Sequence, residues 1–173
     1  MIAEQWQSLL VLTTQVNLIK TLEYYDKIVY KGGEMMKFYL ASSFRNIATV
    51  NNVANQLKTR GYIQTYDWTK NAKAKEEQTF TFEDLKDIGQ KEKNAVLEAD
   101  IVVVLLPGGK GTHIELGIAL GQGKRIFLYS TDKAIDNFET TSTFYHLPEI
   151  EKCFGTIDEL VDIIDSKTKC LLS

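Results

Sequence analysis

The sequence predicts a doubly wound α/β fold: a mainly parallel sheet flanked by helices, in a single domain with an N-terminal helical extension. Three observations predict it. Strand-like and helix-like segments alternate from Lys37 onward. Ile101-Val102-Val103-Val104-Leu105-Leu106 is an unbroken aliphatic run without polar alternation, as expected of a strand covered on both faces. Helix-spaced apolar residues twice stop at a glycine, Gly61 and Gly123, just before the next strand. A length of 173 residues with 44% apolar and 25% charged residues suits one such domain.

The elements follow in order. Trp6, Leu9, Leu10, Val16, Ile19 and Leu22 recur near helical spacing and predict a helix in an extension over residues 1–35, ahead of an α/β domain over 36–173. Lys31-Gly32-Gly33-Glu34-Met35-Met36 is what a purine-rich ribosome-binding site followed by start codons yields when translated. One reading therefore starts the natural protein at Met35 or Met36; the other packs the extension on the domain or on a partner subunit. Deleting residues 1–34 separates them, since only the first reading expects full folding and activity afterwards. Phe38-Tyr39-Leu40-Ala41 is a buried strand broken by Ser42-Ser43, and Val50, Val53, Ala54 and Leu57 mark a helix. Tyr62 to Trp68 is a second strand, and the Lys-rich stretch Thr69–Gln78 a mobile loop. Phe82 to Leu97 is a helix offering Leu85, Ile88, Val96 and Leu97 to the core. After the central strand come a Pro107–Thr112 loop, a helix from His113 to Gln122 and a strand from Arg125 to Tyr129. Thr156 to Ser166 closes the chain as a helix with Ile157, Leu160, Val161 and Ile164 on one face.

Composition excludes several classes. Lys and Arg total 20 against 23 Asp and Glu, net −3, and they are scattered rather than clustered, so no nucleic-acid polymer is expected as partner. No apolar run approaches the about 18 residues of a membrane span, and the first residues lack the features of a signal peptide. Cys153 and Cys170 fit neither a disulfide framework nor a zinc motif, which predicts a reducing, cytoplasmic setting and no metal.

Open parallel sheets bind ligands beyond the carboxyl ends of their strands. Three loops qualify: Ser42-Ser43-Phe44-Arg45-Asn46, Asp67-Trp68-Thr69 and Pro107 to Thr112. In the third, Gly108, Gly109 and Gly111 let backbone approach a ligand and present N–H groups at a helix start. It is not a dinucleotide fingerprint, because Ile114 stands where the third glycine belongs, and no Gly-x-x-x-x-Gly-Lys exists. Neither NAD nor ATP is expected, and no cofactor is implied. Glu115, near the start of the following helix, is expected to be held ionised by the exposed N–H dipoles, as suits a nucleophile or a stabiliser of positive charge.

Tyr39-Leu40-Ala41-Ser42-Ser43-Phe44-Arg45-Asn46, Tyr66-Asp67-Trp68, Ala99-Asp100-Ile101-Val102-Val103-Val104 and Gly111-Thr112-His113-Ile114-Glu115-Leu116-Gly117-Ile118-Ala119 together resemble the nucleoside 2-deoxyribosyltransferase-like family over roughly Lys37 to Asp132. The resemblance implies a flavodoxin- or Rossmann-like sheet and a small-molecule nucleoside or nucleotide as substrate. It implies that Glu115 attacks C1′ of the sugar and that the glycosyl-enzyme passes to water or another base. A carboxylate beneath a developing oxocarbenium ion suits that chemistry, with a second acid to help the base leave. The resemblance places that acid on the preceding helix, where Glu92 matches; many relatives carry Asp. Tyr39, Ser42 and Ser43 match the family's sugar-side segment, which implies that the Tyr39 hydroxyl and nearby backbone groups position the nucleophile and the ribose, making Tyr39 a catalytic candidate with Glu115 and Glu92. Ser43, Arg45 and Thr112 suit a 5′-phosphate, as in related deoxynucleotide N-hydrolases. Phe44 belongs to the same loop, and Asp67 and Trp68 offer a surface for the base. His113 is expected to point away from the catalytic face, and Asp100 to cap its strand.

Two departures favour hydrolysis over base exchange. Transferases of this family often carry an acid six residues before the catalytic glutamate, where Gly109 stands here. They also commonly borrow an Asn or Asp from a neighbouring subunit's C-terminal segment; Asp132, Asp136 and Asn137 are available here, but no alignment assigns one of them to that place. The relatives assemble as homodimers or larger. Pro107-Gly108-Gly109-x-Gly111-Thr112-x-x-Glu115 also resembles the cytokinin-activating phosphoribohydrolases, which cut the same bond in ribonucleoside 5′-monophosphates. Their Gly-rich first loop is replaced here by Ser42-Ser43-Phe44-Arg45. A third alternative keeps the pocket as a non-catalytic nucleotide sensor.

Overall fold

The computed structural model describes residues 30–31, 34–77 and 79–169. Five parallel strands form the sheet: β1 (Lys37–Ala41), β2 (Ile63–Gln64), β3 (Ile101–Leu105), β4 (Arg125–Tyr129) and β5 (Ile150–Cys153). Their order is β2-β1-β3-β4-β5. The helices are α1 (Ile47–Thr59), α2 (Ala72–Glu76), α3 (Phe82–Glu98), α4 (Lys110–Gly121) and α5 (Ile157–Lys169). From β1 the chain steps outward to β2, then crosses back to β3 on the other side. The crevice between the carboxyl ends of β1 and β3 is therefore the topological switch point.

The aliphatic run becomes the centre of the sheet, with every residue of β3 buried. In register, Phe38 to Ala41 of β1 stand opposite Ile101 to Val104. Val50, Val53, Ala54 and Leu57 of α1 and Leu160, Val161 and Ile164 of α5 are buried as their spacing predicts. These two helices share one face of the sheet, bridged by Arg60 to Asp162 at 2.6 Å and Gln56 to Asp158 at 2.7 Å. With right-handed crossovers, α3 and α4 pack side by side on the other face. Gly61 and Gly123, at φ 89° and 61°, adopt the left-handed conformation that ends α1 and α4. Asp100, just before β3, caps the start of the neighbouring β1 rather than its own strand, its carboxylate accepting from the Lys37 N–H at 2.9 Å.

Several expectations need correction. The second strand is only Ile63–Gln64, because β2 is an edge strand that pairs with β1 through two residues. The stretch expected as a loop is instead largely helical, a 3-10 turn over Trp68–Asn71 followed by α2. Leu85 and Leu97 of α3 are exposed rather than in the core, and Phe82 is almost wholly so; α3 packs inward through Ala95 and Val96. Strand β5 was not foreseen. The fourth helix begins at Lys110, three residues before the expected start. The expected N-terminal helix falls on residues outside those described; Tyr30–Lys31 pairs antiparallel with Glu34–Met35. Among the described residues, no helix is long and apolar enough to cross a membrane.

Candidate active site

The two loops at the switch point are tied to each other. Ser42 Oγ donates to the Leu105 carbonyl at 2.7 Å, and Ser43 Oγ to the Pro107 carbonyl at 3.1 Å. Asn46 bridges the same loops, its Nδ2 donating to Ser42 Oγ at 3.2 Å and to the Leu106 carbonyl at 3.3 Å. The Leu106–Pro107 peptide is cis. This lacing holds the β1 and β3 loops as one wall, which serine and asparagine can do because their short side chains reach nearby backbone.

A cleft of about 430 Å³ opens beside that wall. Ser42, Ser43, Phe44 and Arg45 line it from the β1 loop, and Gly109, Gly111 and Thr112 from the start of α4. Glu115, Glu92 and Trp68 complete it, so residues far apart in sequence converge. Lys110 also lines the cleft and is exposed, as is Arg45. Sequence reasoning missed Lys110, although its place inside the glycine loop was a visible signal.

Glu115 sits at the back of the cleft, 7% exposed. Tyr39, fully buried in β1, donates its hydroxyl to Glu115 Oε1 at 2.6 Å. Burial pushes the Glu115 carboxyl up to about 7; the Tyr39 hydrogen bond pulls it down, and the nearby charge of Glu92 pushes it up. This corrects the expectation of a carboxylate held ionised by the helix start. Because α4 begins at Lys110, Glu115 lies in its second turn, beyond the reach of the terminal N–H groups. Desolvation then dominates. Tyr39 itself is raised well above the usual phenol range by burial and by Glu115, so it stays a proton donor.

Other expected residues divide. Trp68 is 3% exposed, its indole N–H donating to the Leu40 carbonyl at 2.7 Å, with Phe44 edge-on at 5.1 Å. It forms a fixed wall of the cleft rather than a free stacking surface. Asp67 does not line the cleft: its Oδ1 accepts from the Thr69 N–H and hydroxyl, capping the 3-10 turn. Gly108 lines a different cavity of about 420 Å³, on the far side of the glycine loop, together with His113, Asp132 and Tyr145. His113 thus points away from Glu115, as expected. Asp136 pairs with Lys152 at 3.5 Å, and Asn137 Oδ1 accepts from the Glu139 N–H.

Glycine is needed at Gly108 for packing, since a Cβ there would stand 2.9 Å from Thr112 Cγ2. A Cβ on Gly111 meets nothing within 4 Å. Thr112 Oγ1 accepts from the Gly109 N–H at 2.9 Å and closes the first turn of α4. Among the described residues no group of His, Cys, Asp and Glu is arranged to hold a metal.

Comparison with known proteins adds to this geometry. Curated proteins give no significant match. Among solved structures, the CMP N-glycosidase BcmB of Clostridium botulinum is 16% identical, with a TM-score of 0.51 over 76% of this chain and 98% of that one. A de novo designed Rossmann 2x3 fold protein is 13% identical, with a TM-score of 0.44 over 78% of this chain and 89% of that one. The first likeness speaks for the Rossmann-like fold alone, and the second adds no argument. The nucleoside 2-deoxyribosyltransferase family model matches residues 38–144, from the second residue of β1 past the whole candidate site. By that match the chain belongs to the nucleoside 2-deoxyribosyltransferase family, which supports, in general terms, an enzyme that cleaves or transfers at N-glycosidic bonds.

Proposed function

We propose that this protein hydrolyses the N-glycosidic bond of a nucleoside 5′-monophosphate, with Glu115 as nucleophile. The observation that carries the reading is the Tyr39–Glu115 hydrogen bond at the back of a cleft that also holds Glu92. Tyr39 engages Oε1, which leaves Oε2 to face the sugar. Ionised Oε2 attacks C1′ as the C1′–N bond breaks, and the bonding electrons leave with the base. Glu92, acting as acid, gives its proton to the departing base. The glycosyl-enzyme ester is resolved by water: Glu92 takes a proton from it, the oxygen bonds to C1′, and Glu115 is released as a carboxylate. The ester's formation needs a dry, pre-aligned carboxylate, and the burial of Glu115 supplies that at the cost of a raised pKa.

The 5′-phosphate is assigned to the end of the cleft carrying Arg45, Lys110, Ser43 and the amino end of α4. Two exposed cations beside a helix start suit an anion. Water as acceptor is supported by Gly109, which stands where transferases of the family often carry an acid. Self-association belongs to the same reading: Ile114 is 65% exposed on an outer face of α4 where Gly117 and Gly121 are also exposed. Light scattering on the purified protein tests it, and a monomer at micromolar concentration would remove it.

The main test is incubation of the protein with a panel of nucleosides and their 5′-monophosphates, in ribo and deoxy form, followed by chromatography for free base. Release of base from monophosphates, abolished by Glu115→Ala, is expected. Tight binding without any release would establish the sensor alternative instead.

A further inference from the structure

We propose that His113 and Tyr145 are positioning residues that aim the first peptide of α4 at the anionic end of the substrate. The inference rests on the 5′-phosphate reading above and assigns the pair a role in it. Three of the four residues from 108 to 111 are glycine, so side-chain sterics hardly restrict the backbone where α4 begins. Something else must hold it. Gly109 is held on both sides: its N–H donates to Thr112 Oγ1 at 2.9 Å, and its carbonyl meets His113 Nδ1 at 2.8 Å. The helical bond from the His113 N–H to that same carbonyl is long, 3.4 Å, so the imidazole makes the closer contact.

The proton inventory fixes the direction. A carbonyl only accepts, so Nδ1 carries the hydrogen. In the neutral ring Nε2 then accepts, and Tyr145 donates to it across 2.7 Å, with the two rings stacked at a centroid distance of 5.9 Å. Tyr145 is buried and lies in the 3-10 turn Thr143–His146 of the β4–β5 connection. A segment distant in sequence thus fixes the tautomer and orientation of His113.

The consequence reaches the cleft through peptide planarity. In the trans peptide joining Gly109 and Lys110, the carbonyl and the N–H point to opposite sides. With the Gly109 carbonyl held toward His113, the Lys110 N–H points off the amino end of α4, where the cleft lies. Release of the carbonyl would let this peptide rotate, and the donor aimed at the phosphate would be lost.

Calorimetry with ribose 5-phosphate and steady-state kinetics test the assignment together. His113→Ala and Tyr145→Phe should weaken ribose 5-phosphate binding about tenfold, as for one lost aligned hydrogen bond. They should raise KM for a nucleoside 5′-monophosphate by the same factor, leave kcat within about twofold and leave turnover of the bare nucleoside unchanged. His113→Asn, which keeps a donor near the position of Nδ1, should recover most of the binding lost in His113→Ala. Tyr145→Phe retains the ring and its packing, so it reports even if His113→Ala folds poorly. Arg45→Ala separates the two readings. If it leaves ribose 5-phosphate binding and KM unchanged, the phosphate reading falls and this inference with it. If Arg45→Ala weakens binding while His113→Ala and Tyr145→Phe bind as the parent does, or lower kcat on both substrates alike, only the positioning role is overturned.

Discussion

Tyr39 donates its hydroxyl to Glu115 Oε1 across 2.6 Å, joining the first strand of the sheet to the helix after the third. The bond orients the carboxylate and opposes the rise in its pKa that burial imposes. The aim of the Glu115 carboxylate, and part of its charge balance, are therefore set by one buried phenol.

Replacing Glu115 should separate activity from stability. Glu115→Ala and Glu115→Gln are expected to lower base release by about three to five orders of magnitude. Glu115→Gln should at the same time stabilise the fold above pH 7. The folded carboxyl titrates at about 7 against an ordinary value of 4.5, so the folded state holds more protons between those values. Stability from this group is fully present below about 4.5 and declines as pH rises through 7. The decline should be on the order of 2–3 kcal/mol and absent in Glu115→Gln, as measured by urea unfolding at pH 5 and pH 8.5.

The pH profile of the parent protein follows from the same group. If Glu115 acts as the proposed nucleophile it must be ionised, so kcat/KM should rise with pH through an acid limb near 7 in the free protein. An acid limb near 4.5, with full activity at pH 6, would mean that Glu115 is not the group being titrated.

Tyr39→Phe removes the hydroxyl and keeps the ring. Because the hydrogen bond holds the Glu115 carboxyl down, the acid limb should move to higher pH, with kcat reduced about 10- to 100-fold even on the alkaline plateau. A profile of pH-dependent initial rates for the two proteins checks both effects.

The glycine loop should respond unequally to alanine. Gly108→Ala places a Cβ 2.9 Å from Thr112 Cγ2, which must shift and loosen its hold on the Gly109 N–H; a loss of about 1–3 kcal/mol is expected. Gly111→Ala meets nothing and gains about 0.5–1 kcal/mol of helix propensity. Thermal unfolding of the two variants gives opposite signs if the loop is built as described.

Trp68→Phe removes the indole donor to the Leu40 carbonyl, a contact made at the end of β1 next to the cleft. A loss of about 1–3 kcal/mol is expected from the unpaired buried carbonyl and the space left by the smaller ring. Differential scanning calorimetry checks it.

Most strands and helices were legible because local pattern and tertiary demand agree in them. β3 is a pure aliphatic run, and α1 and α5 carry their buried residues at helical spacing. β5 was not legible: only Ile150 and Cys153 of its four residues are buried, and four residues are too few for a period to show. The Lys-rich stretch after Trp68 lacked apolar anchors and looked like a loop. Its helical turns instead follow from Asp67 capping the turn and from chain geometry at an edge strand.

The candidate site was legible as residue types and less so as roles. Glu115, Glu92 and the Ser42–Arg45 loop converge on one cleft, whereas Asp67 and Gly108 face elsewhere because a one-residue change in direction within a loop is not written in spacing. The ionisation of Glu115 is hidden from the sequence for a related reason. A shift of three residues in the helix start moves it from the first turn to the second and exchanges dipole control for desolvation.

Alternation of buried strands and amphipathic helices, read along the chain, was enough to determine the class of fold and which loops stand at the carboxyl ends of the strands. Those properties arise from backbone hydrogen bonding and side-chain polarity, which act locally. What only the tertiary structure decided is which of those side chains meet. The Tyr39–Glu115 bond, the lacing of Ser42 and Ser43 to the β3 loop and the His113–Tyr145 pair each join segments separated by tens of residues. Their distances, burial and pKa shifts are set by strand order and register, and no local window of sequence contains that information.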